Sequence, residues 1–130
     1  MVNDPISDLI IRIKNASMVR KEVISVPFSK LKLAIAEVLQ KEGFVSNVEK
    51  RGKKIKKFID ISLKYNDKLP EVTDVKRISK PGKRIYIGFN KIRSVKQGQG
   101  IMIISTPKGL MTDRAAREQH LGGEPLFSIW

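Results

Sequence analysis

Apolar residues recur at helical spacing twice in the first forty positions. The first set follows i, i+3, i+4 and i+7 and comprises Ile6, Leu9, Ile10 and Ile13. Asp4 is a suitable N-cap for this helix, and Pro5 occupies its first position, where the missing N–H costs nothing. The second set comprises Leu31, Ala34, Ile35, Val38 and Leu39. Ser29 is its expected cap and Gly43 its expected C-terminal stop. Two amphipathic helices are therefore predicted.

Strand patterns surround the second helix. Val23 to Val26 is rich in β-branched residues and ends at a proline. Phe44 to Glu49 and Phe58 to Tyr65 are two further candidates, with a hairpin expected around Arg51-Gly52-Lys53. The polar stretch Asn66 to Pro70 ends in proline and is typical of a linker. The first half is therefore predicted as helix, strand, helix and hairpin.

The second half is dominated by strand patterns. The candidates are Val75–Ile78, Arg84–Phe89, the continuous apolar run Ile101–Ile104, and Leu126–Trp130. Lys80-Pro81-Gly82 is an expected turn. Thr112 is expected to cap a short helix over Asp113 to Gln119, with Gly122-Gly123 supplying a positive-φ stop.

These elements predict an α+β fold of two small subdomains. The N-terminal one covers residues 1–65, a linker follows at 66–72, and a mainly antiparallel C-terminal subdomain with a short helix covers 73–130.

The chain is strongly basic. The 130 residues include 26 Lys and Arg against 13 Asp and Glu, a net charge of +13. Lys50 to Lys57 holds six cations in eight residues, and Val75 to Thr112 contains nine cations and no acid. A lysine run alone is as consistent with a solvated hairpin tip as with a binding surface. Two such regions on a chain of this charge favour contact with the phosphates of a nucleic acid.

Composition also excludes several kinds of chemistry. The chain has no cysteine and a single histidine, His120, which excludes a disulfide framework, a thiol nucleophile and a multi-histidine metal site. No cofactor is expected. No apolar run approaches the ~20 residues that span a bilayer, and the N-terminus lacks the pattern of a secretory signal. A cytoplasmic protein, or one synthesised inside an organelle, is expected.

A candidate RNA contact lies at Ser105-Thr106-Pro107-Lys108-Gly109. Two hydroxyls, a cation and a glycine suit the phosphates and 2′-hydroxyls of a folded RNA. Composition alone favours an ordinary connection between a strand and a helix. Tyr86 and Phe89, which alternate with Arg84 and Lys91, are either base-stacking residues or core residues.

The C-terminal third carries a longer pattern. The segment from Ile104 to Arg117, followed by Gly122-Gly123-Glu124, resembles the signature of the small-subunit ribosomal protein eight family, bacterial type. Further similar segments are Asn3 to Asp8, Arg12 to Ala16, Ser29 to Lys32, and Arg77 to Tyr86. The resemblance runs from end to end.

The resemblance implies direct binding to the central domain of small-subunit rRNA early in assembly, beside neighbouring ribosomal proteins. The family's loop enters an RNA minor groove, which implies Ser105, Thr106, Lys108 and Gly109 as the core of the site. The other implied RNA contacts are Arg84, Tyr86, Gly123 and Glu124 beside the loop, and Lys30, Lys54 and Lys56 on phosphates. Gly123 is expected to let the backbone approach RNA closely. Whether the protein also binds its own operon messenger RNA, as some relatives do, is left open.

The chain departs from the family pattern at three positions. Pro107 stands where the family usually has serine, Pro125 where an aliphatic residue is usual, and Arg93 where proline is common. Pro107 removes a hydroxyl and an N–H from the loop but stiffens it, so Thr106→Val is expected to weaken RNA binding more than Pro107→Ser, with little change in melting temperature for either.

Three other functions are alternatives to RNA binding. A nuclease would pair His120 with Asp113 or Glu118, but the chain lacks a second histidine and clustered carboxylates, so no enzyme is predicted. A histone-like protein would bind duplex DNA as well as RNA. A membrane-surface protein would need a basic amphipathic helix, and the first two helices have mixed charge. Neither a membrane nor a small-molecule substrate is therefore an expected partner.

Overall fold

The computed structural model describes residues 4–66 and 69–130, which divide into two compact units. The C-terminal unit comprises the chain up to Ser7 together with Asp74–Trp130, and the N-terminal unit comprises Asp8–Thr73. The elements are α1 (Pro5–Met18), β1 (Val23–Pro27), α2 (Lys30–Lys41), β2 (Val45–Lys53), β3 (Lys56–Leu63), β4 (Tyr65–Asn66), β5 (Leu69–Pro70), β6 (Val75–Arg77), β7 (Ile101–Thr106), β8 (Gly109–Thr112), α3 (Asp113–Glu118) and β9 (Glu124–Ile129). The predicted α+β class is confirmed.

Both predicted helix starts are present. Asp4 accepts hydrogen bonds from the Ser7 N–H at 3.2 Å and from its hydroxyl at 2.6 Å, which caps α1. Ser29 caps α2 by accepting the Lys32 N–H at 3.1 Å. Gly43 ends α2 with φ of +85°, a conformation that costs glycine little.

The sheet of the N-terminal unit is antiparallel in the order β1-β3-β2. Its hairpin turns at Lys54-Ile55, because Lys53 pairs with Lys56. The expected turn around Arg51-Gly52-Lys53 is therefore wrong. The observed register places Val48 opposite Ile61, which is fully buried, and a turn centred on Gly52 would have put Val48 opposite a lysine.

The predicted linker contains a short antiparallel pair, in which Tyr65 lies opposite Pro70 and Asn66 opposite Leu69. Asp67 and Lys68 of that stretch lie outside the described residues.

The sheet of the C-terminal unit is antiparallel in the order β6-β9-β7-β8. Ile103 and Ile104 are adjacent on β7, so their side chains point to opposite faces, and both are fully buried. Ile104 packs with Ile92 and with Ala116 of α3. Pro125 lies near the start of β9, at an irregularity in its pairing with β7, where a missing N–H is tolerated.

Arg84 to Phe89 does not form the predicted strand. Among the described residues, its backbone pairing is limited to one bridge, in which Ile87 and Gly123 exchange N–H···O bonds of 2.9 Å. Both edges of β9 are already paired, with β6 and with β7. The segment therefore meets the chain just before β9 begins, and Phe89–Lys91 forms a 3₁₀ turn.

Thr112 caps α3 by accepting the Ala115 N–H at 3.2 Å, as predicted. The positive-φ residue after this helix is His120, at +55°, and the expected role of Gly122-Gly123 as a positive-φ stop is wrong. These glycines provide space instead. A Cβ on Gly123 would lie 2.1 Å from the Ser105 carbonyl oxygen, and one on Gly122 would lie 2.4 Å from the Ile87 oxygen.

Within the described residues, no helix combines the length and apolar character needed to cross a bilayer.

Candidate nucleic-acid interface

The predicted RNA loop is the tip of the β7–β8 hairpin. Thr106 pairs with Gly109, so Pro107-Lys108 forms a two-residue turn between strands and not a connection from a strand to a helix. Gly109 takes φ of +107°, which favours glycine. The side chains of Pro107 and Lys108 are exposed. The tip therefore presents one ammonium group on a tight backbone turn.

The Thr106 hydroxyl stabilises this turn. It donates to the Gly109 carbonyl at 2.8 Å and accepts the Lys108 N–H at 3.1 Å, and the residue is only 9% exposed. Its one proton is committed within the protein, so it cannot donate to RNA while the turn is intact. Ser105 is half-buried, and its hydroxyl has no hydrogen bond to the described residues. Ser105 is therefore the better hydroxyl for an RNA contact.

Thr106→Val is expected to destabilise the hairpin. The change keeps the shape of the side chain but removes two hydrogen bonds, and we expect the free energy of unfolding to fall by about 1–2 kcal/mol. Chemical unfolding measures this loss. Pro107→Ser, at an exposed turn position, is the control and should change stability by less than about 1 kcal/mol. Unchanged stability with weakened RNA binding in Thr106→Val would show that the hydroxyl serves RNA instead.

Glu124 is held by two neighbours beside this hairpin. Its carboxylate accepts the Ser79 hydroxyl at 2.5 Å and Arg84 Nη1 at 2.8 Å, while the Ser79 oxygen accepts the Ile85 N–H at 3.0 Å. Ser79 is fully buried. Glu124 lies directly opposite Ser105 across the β7–β9 ladder, so the two side chains share a face. The result is a fixed carboxylate next to an unpartnered hydroxyl.

Electrostatics keep Glu124 ionised. Burial raises the pKa of Glu124, but the hydrogen bonds from Ser79 and Arg84 and the adjacent positive charge outweigh burial and hold the pKa below its ordinary value. An ionised carboxylate only accepts hydrogen bonds. Glu124 can therefore accept from a 2′-hydroxyl or a base amino group.

The structure brings some of the predicted residues together within the C-terminal unit. Within the C-terminal unit, Ser105, Gly123, Glu124 and Arg84 adjoin one another through strand pairing and the carboxylate network. Tyr86 lies one residue from the Ile87–Gly123 bridge and is 71% exposed, so it is not a core residue. The other expected contacts are in the N-terminal unit and are exposed: Lys30 begins α2, and Lys54 and Lys56 lie at the β2–β3 turn.

In the C-terminal unit, most arginines form ion pairs with acids, whereas the exposed lysines do not. Four arginines form ion pairs with acids, namely Arg77 with Asp4, Arg84 with Glu124, Arg114 with Glu118, and Arg117 with Asp113. Six exposed lysines have no such pair among the described residues, namely Lys76, Lys80, Lys83, Lys91, Lys96 and Lys108. These lysines supply the free charge that a polyanion would neutralise.

Sequence reasoning did not single out Ser79, since one serine among polar neighbours carries no signal.

The residues of the nuclease alternative have structural partners. Asp113 is buried, accepts the Met102 N–H at 3.2 Å and pairs with Arg117. His120 stacks on Phe89 with ring centroids 4.9 Å apart. Among the described residues, no three His, Cys, Asp or Glu side chains are grouped in a way that could hold a metal ion.

The Asp4–Arg77 pair predicts a dependence of stability on acid. Burial raises the pKa of Asp4, but hydrogen bonds from Arg77 and Ser7 outweigh it and lower the pKa overall. A lowered folded-state pKa adds stability that is fully present above the unfolded value, about 3.9, and is lost as the pH falls through the folded value. We therefore expect Asp4→Asn to cost about 1–3 kcal/mol at pH 7 and much less near pH 3.

Urea unfolding of parent and Asp4→Asn at both pH values measures this difference. Glu37→Gln, at an exposed carboxylate with no ion pair to a described residue, is the control and should show no such trend. A cost for Asp4→Asn that is equal at both pH values would contradict the role given to the charge.

Fold and surface together define a small basic α+β protein of the kind that binds a polyanion. The family model for ribosomal protein S8 matches residues 4–130, and the chain belongs to this family. It is 51% identical over 128 residues to "Small ribosomal subunit protein uS8" of Acinetobacter baylyi, covering 98% of both chains. The proteins of the same name from Vesicomyosocius okutanii and Dictyoglomus thermophilum are each 47% identical over 129 residues, covering 99% of this chain and 98% of theirs. The resemblance found in the sequence is confirmed.

Proposed function

We propose that this chain is a structural, non-catalytic component of the small ribosomal subunit that resides in the ribosome and binds the subunit's rRNA directly. Family membership over residues 4–130 supports the structural role. The net charge of +13 supports a polyanionic partner. The relatives' printed name supports neighbouring small-subunit proteins as further partners.

The observation that carries RNA contact by the C-terminal unit is the fixed carboxylate of Glu124 opposite the Ser105 hydroxyl. Folded RNA is recognised through 2′-hydroxyls and phosphates across a wide minor groove. Glu124 accepts from a 2′-hydroxyl, and Ser105 can donate or accept beside it. Lys108 at the hairpin tip contacts phosphate, and the exposed ring of Tyr86 stacks on a base or sugar. Gly109 and Gly123 keep the backbone in the form that presents these groups.

The RNA that we propose is the central domain of small-subunit rRNA, bound early in assembly. Lys30, Lys54 and Lys56 contact phosphates from the N-terminal unit. The protein's own operon messenger RNA would compete for the same surface if it presents the same groove shape. Because 2′-hydroxyl contacts distinguish RNA from DNA, duplex DNA should compete poorly.

A competition experiment tests this function. Labelled central-domain transcript is bound to the purified protein, and unlabelled transcript, operon messenger RNA and duplex DNA are added as competitors at moderate salt. We expect only RNA to compete at equimolar concentration and a footprint confined to one region of the transcript. Equal competition by DNA would favour the histone-like alternative, and cleavage of the transcript would favour the nuclease.

Two serine variants test the site itself. Ser105→Ala should weaken binding by roughly tenfold, since it leaves an RNA group without a partner at about 1–3 kcal/mol. Ser94→Ala is the matched control, because Ser94 is exposed and has no hydrogen bond to the described residues. Equal affinities of the two variants would place Ser105 outside the interface.

A further inference from the structure

Two lysines of the N-terminal unit are held against one aromatic ring. Lys50 Nζ lies 4.8 Å and Lys57 Nζ 5.8 Å from the centroid of the Phe28 ring. Phe28 is itself anchored to the sheet, because its N–H donates to the Lys57 carbonyl at 3.0 Å. The two ammonium groups thus share the ring of a residue whose backbone is bonded to β3. We call this cluster the Phe28 lysine pair.

Strand register explains why the two lysines converge. Lys50 lies directly opposite Ile59, and Lys57 is two residues before Ile59 on β3. Side chains at these positions share one face of the sheet, so both lysines point to the side of Phe28. Lysine carries a strongly hydrated charge on a flexible stem, and contact with a ring face restricts that stem.

Neither lysine has a carboxylate partner among the described residues. The nearest acids along the strands are engaged elsewhere, since Asp60 pairs with Arg51 at 2.7 Å and Glu49 accepts from Asn47 at 3.1 Å. The two ammonium groups lie at most about 11 Å apart, since each is within 6 Å of the same ring centre, and this is close to the Debye length of about 8–10 Å at 0.10–0.15 M salt. The positive potentials of the two groups therefore add near the ring, and a nearby anion would be attracted by both.

Arg51 provides an internal comparison. It lies over the ring of Phe58, 5.4 Å from the centroid, on the opposite face of the same sheet. Its guanidinium is already neutralised by Asp60, to which it donates through Nε and Nη2. The Phe58 ring thus contacts a neutralised cation, and the Phe28 ring contacts two cations that have no ion pair with any residue the structure describes.

We infer that the Phe28 lysine pair is a preorganised site for an RNA phosphodiester, separate from the lysines at the β2–β3 turn. The inference rests on the proposed rRNA-binding function and adds a specific contact to it. The ring's part is to order the two cations before binding, so that less side-chain freedom is lost when phosphate arrives.

The first test removes the charges. Lys50→Gln/Lys57→Gln and the parent are titrated with central-domain transcript over a series of salt concentrations. Each phosphate-bound lysine contributes about 1 to the slope of log K against log salt, so the slope of the double variant should be smaller by about 2. Lys41→Gln/Lys64→Gln is the matched control, because both residues are exposed in the same unit without an ion pair to the described residues.

The second test removes the ring and keeps the charges. Phe28→Leu should leave the salt slope nearly unchanged but weaken binding by about two- to tenfold, because two lysines must then be ordered on binding. Phe58→Leu is the control, and its affinity should match that of the parent, since Arg51 stays with Asp60. Melting temperatures are recorded for every variant, and affinities are compared below the lowest of them.

The experiments distinguish failure of this site from failure of the proposed function. A parent that does not prefer the transcript to duplex DNA overturns the function and the site together. A parent that binds specifically while Lys50→Gln/Lys57→Gln matches the parent or its charge control overturns the site alone. An affinity of Phe28→Leu equal to that of Phe58→Leu overturns the ordering role of the ring.

Discussion

Replacing Gly123 by alanine is expected to destabilise the C-terminal unit more than Thr106→Val or Ser79→Ala does. The new Cβ would lie 2.1 Å from the Ser105 carbonyl oxygen and 3.0 Å from its carbonyl carbon. Both are backbone atoms of β7, so neither can rotate away, and the pairing between β7 and the start of β9 must shift. We expect a loss on the order of 3 kcal/mol in the free energy of unfolding. For a chain of this size the melting temperature should fall by roughly 10 °C.

Gly82→Ala is the matched control. A Cβ at Gly82 would meet nothing within 4 Å, and the residue has no positive φ. Stability should stay the same or rise by up to about 1 kcal/mol, because alanine reduces the freedom of the unfolded chain. If Gly123→Ala melts like the parent but binds RNA weakly, the close approach at Gly123 is to RNA, as first expected from the resemblance, and not to Ser105.

Ser79→Ala is expected to have the second largest effect. Ser79 is fully buried, and its hydroxyl links the Ile85 N–H to the Glu124 carboxylate. Alanine leaves both groups without that partner, one of them charged, which costs about 2–3 kcal/mol in the free energy of unfolding. Glu124 should also lose part of the stabilisation of its charged form, so its pKa should rise. Chemical unfolding and NMR titration of the Glu124 carboxyl measure the two effects.

Ser94→Ala is the control for stability, and its change should be within about 0.5 kcal/mol. RNA affinity is measured at a temperature where Ser79→Ala remains folded, and we expect it to be weaker than that of the control because Glu124 is less firmly oriented. Stability of Ser79→Ala within 0.5 kcal/mol of the parent would mean that Arg84 alone holds Glu124.

Local patterns were sufficient for the elements whose causes lie within a few residues. The caps Asp4, Ser29 and Thr112 all accept backbone hydrogen bonds as predicted. Each cap depends on one side chain and an N–H three residues away, so the local sequence is enough to predict it. The class of fold and the basic surface followed from the same kind of information.

Errors arose where distant strands decide the outcome. Arg84 to Phe89 alternates like a strand but meets the chain at Gly123, just before β9, and β9 is already paired on both sides with β6 and β7. The β2–β3 turn moved two residues beyond Gly52, because the pairing that buries Ile61 sets the register. The left-handed residue after α3 is His120 and not a glycine. Gly122 and Gly123 instead lie against the backbone of Ile87 and Ser105, where a Cβ would not fit.

The sequence alone determined the charge, the helices and their caps, the α+β class and the family, because composition, short-range periodicity and a long motif are local properties. The hydrogen-bond partners of the polar groups in the candidate site depend on the tertiary structure. Thr106 and Thr112 are both threonines at strand ends, yet one closes a hairpin turn and the other caps a helix. Ser105 lies opposite Glu124 across the β7–β9 ladder, and the two other partners of Glu124, Ser79 and Arg84, lie 45 and 40 residues away in the sequence. Hydrogen bonds between residues so far apart depend on strand order and register, which no local pattern encodes.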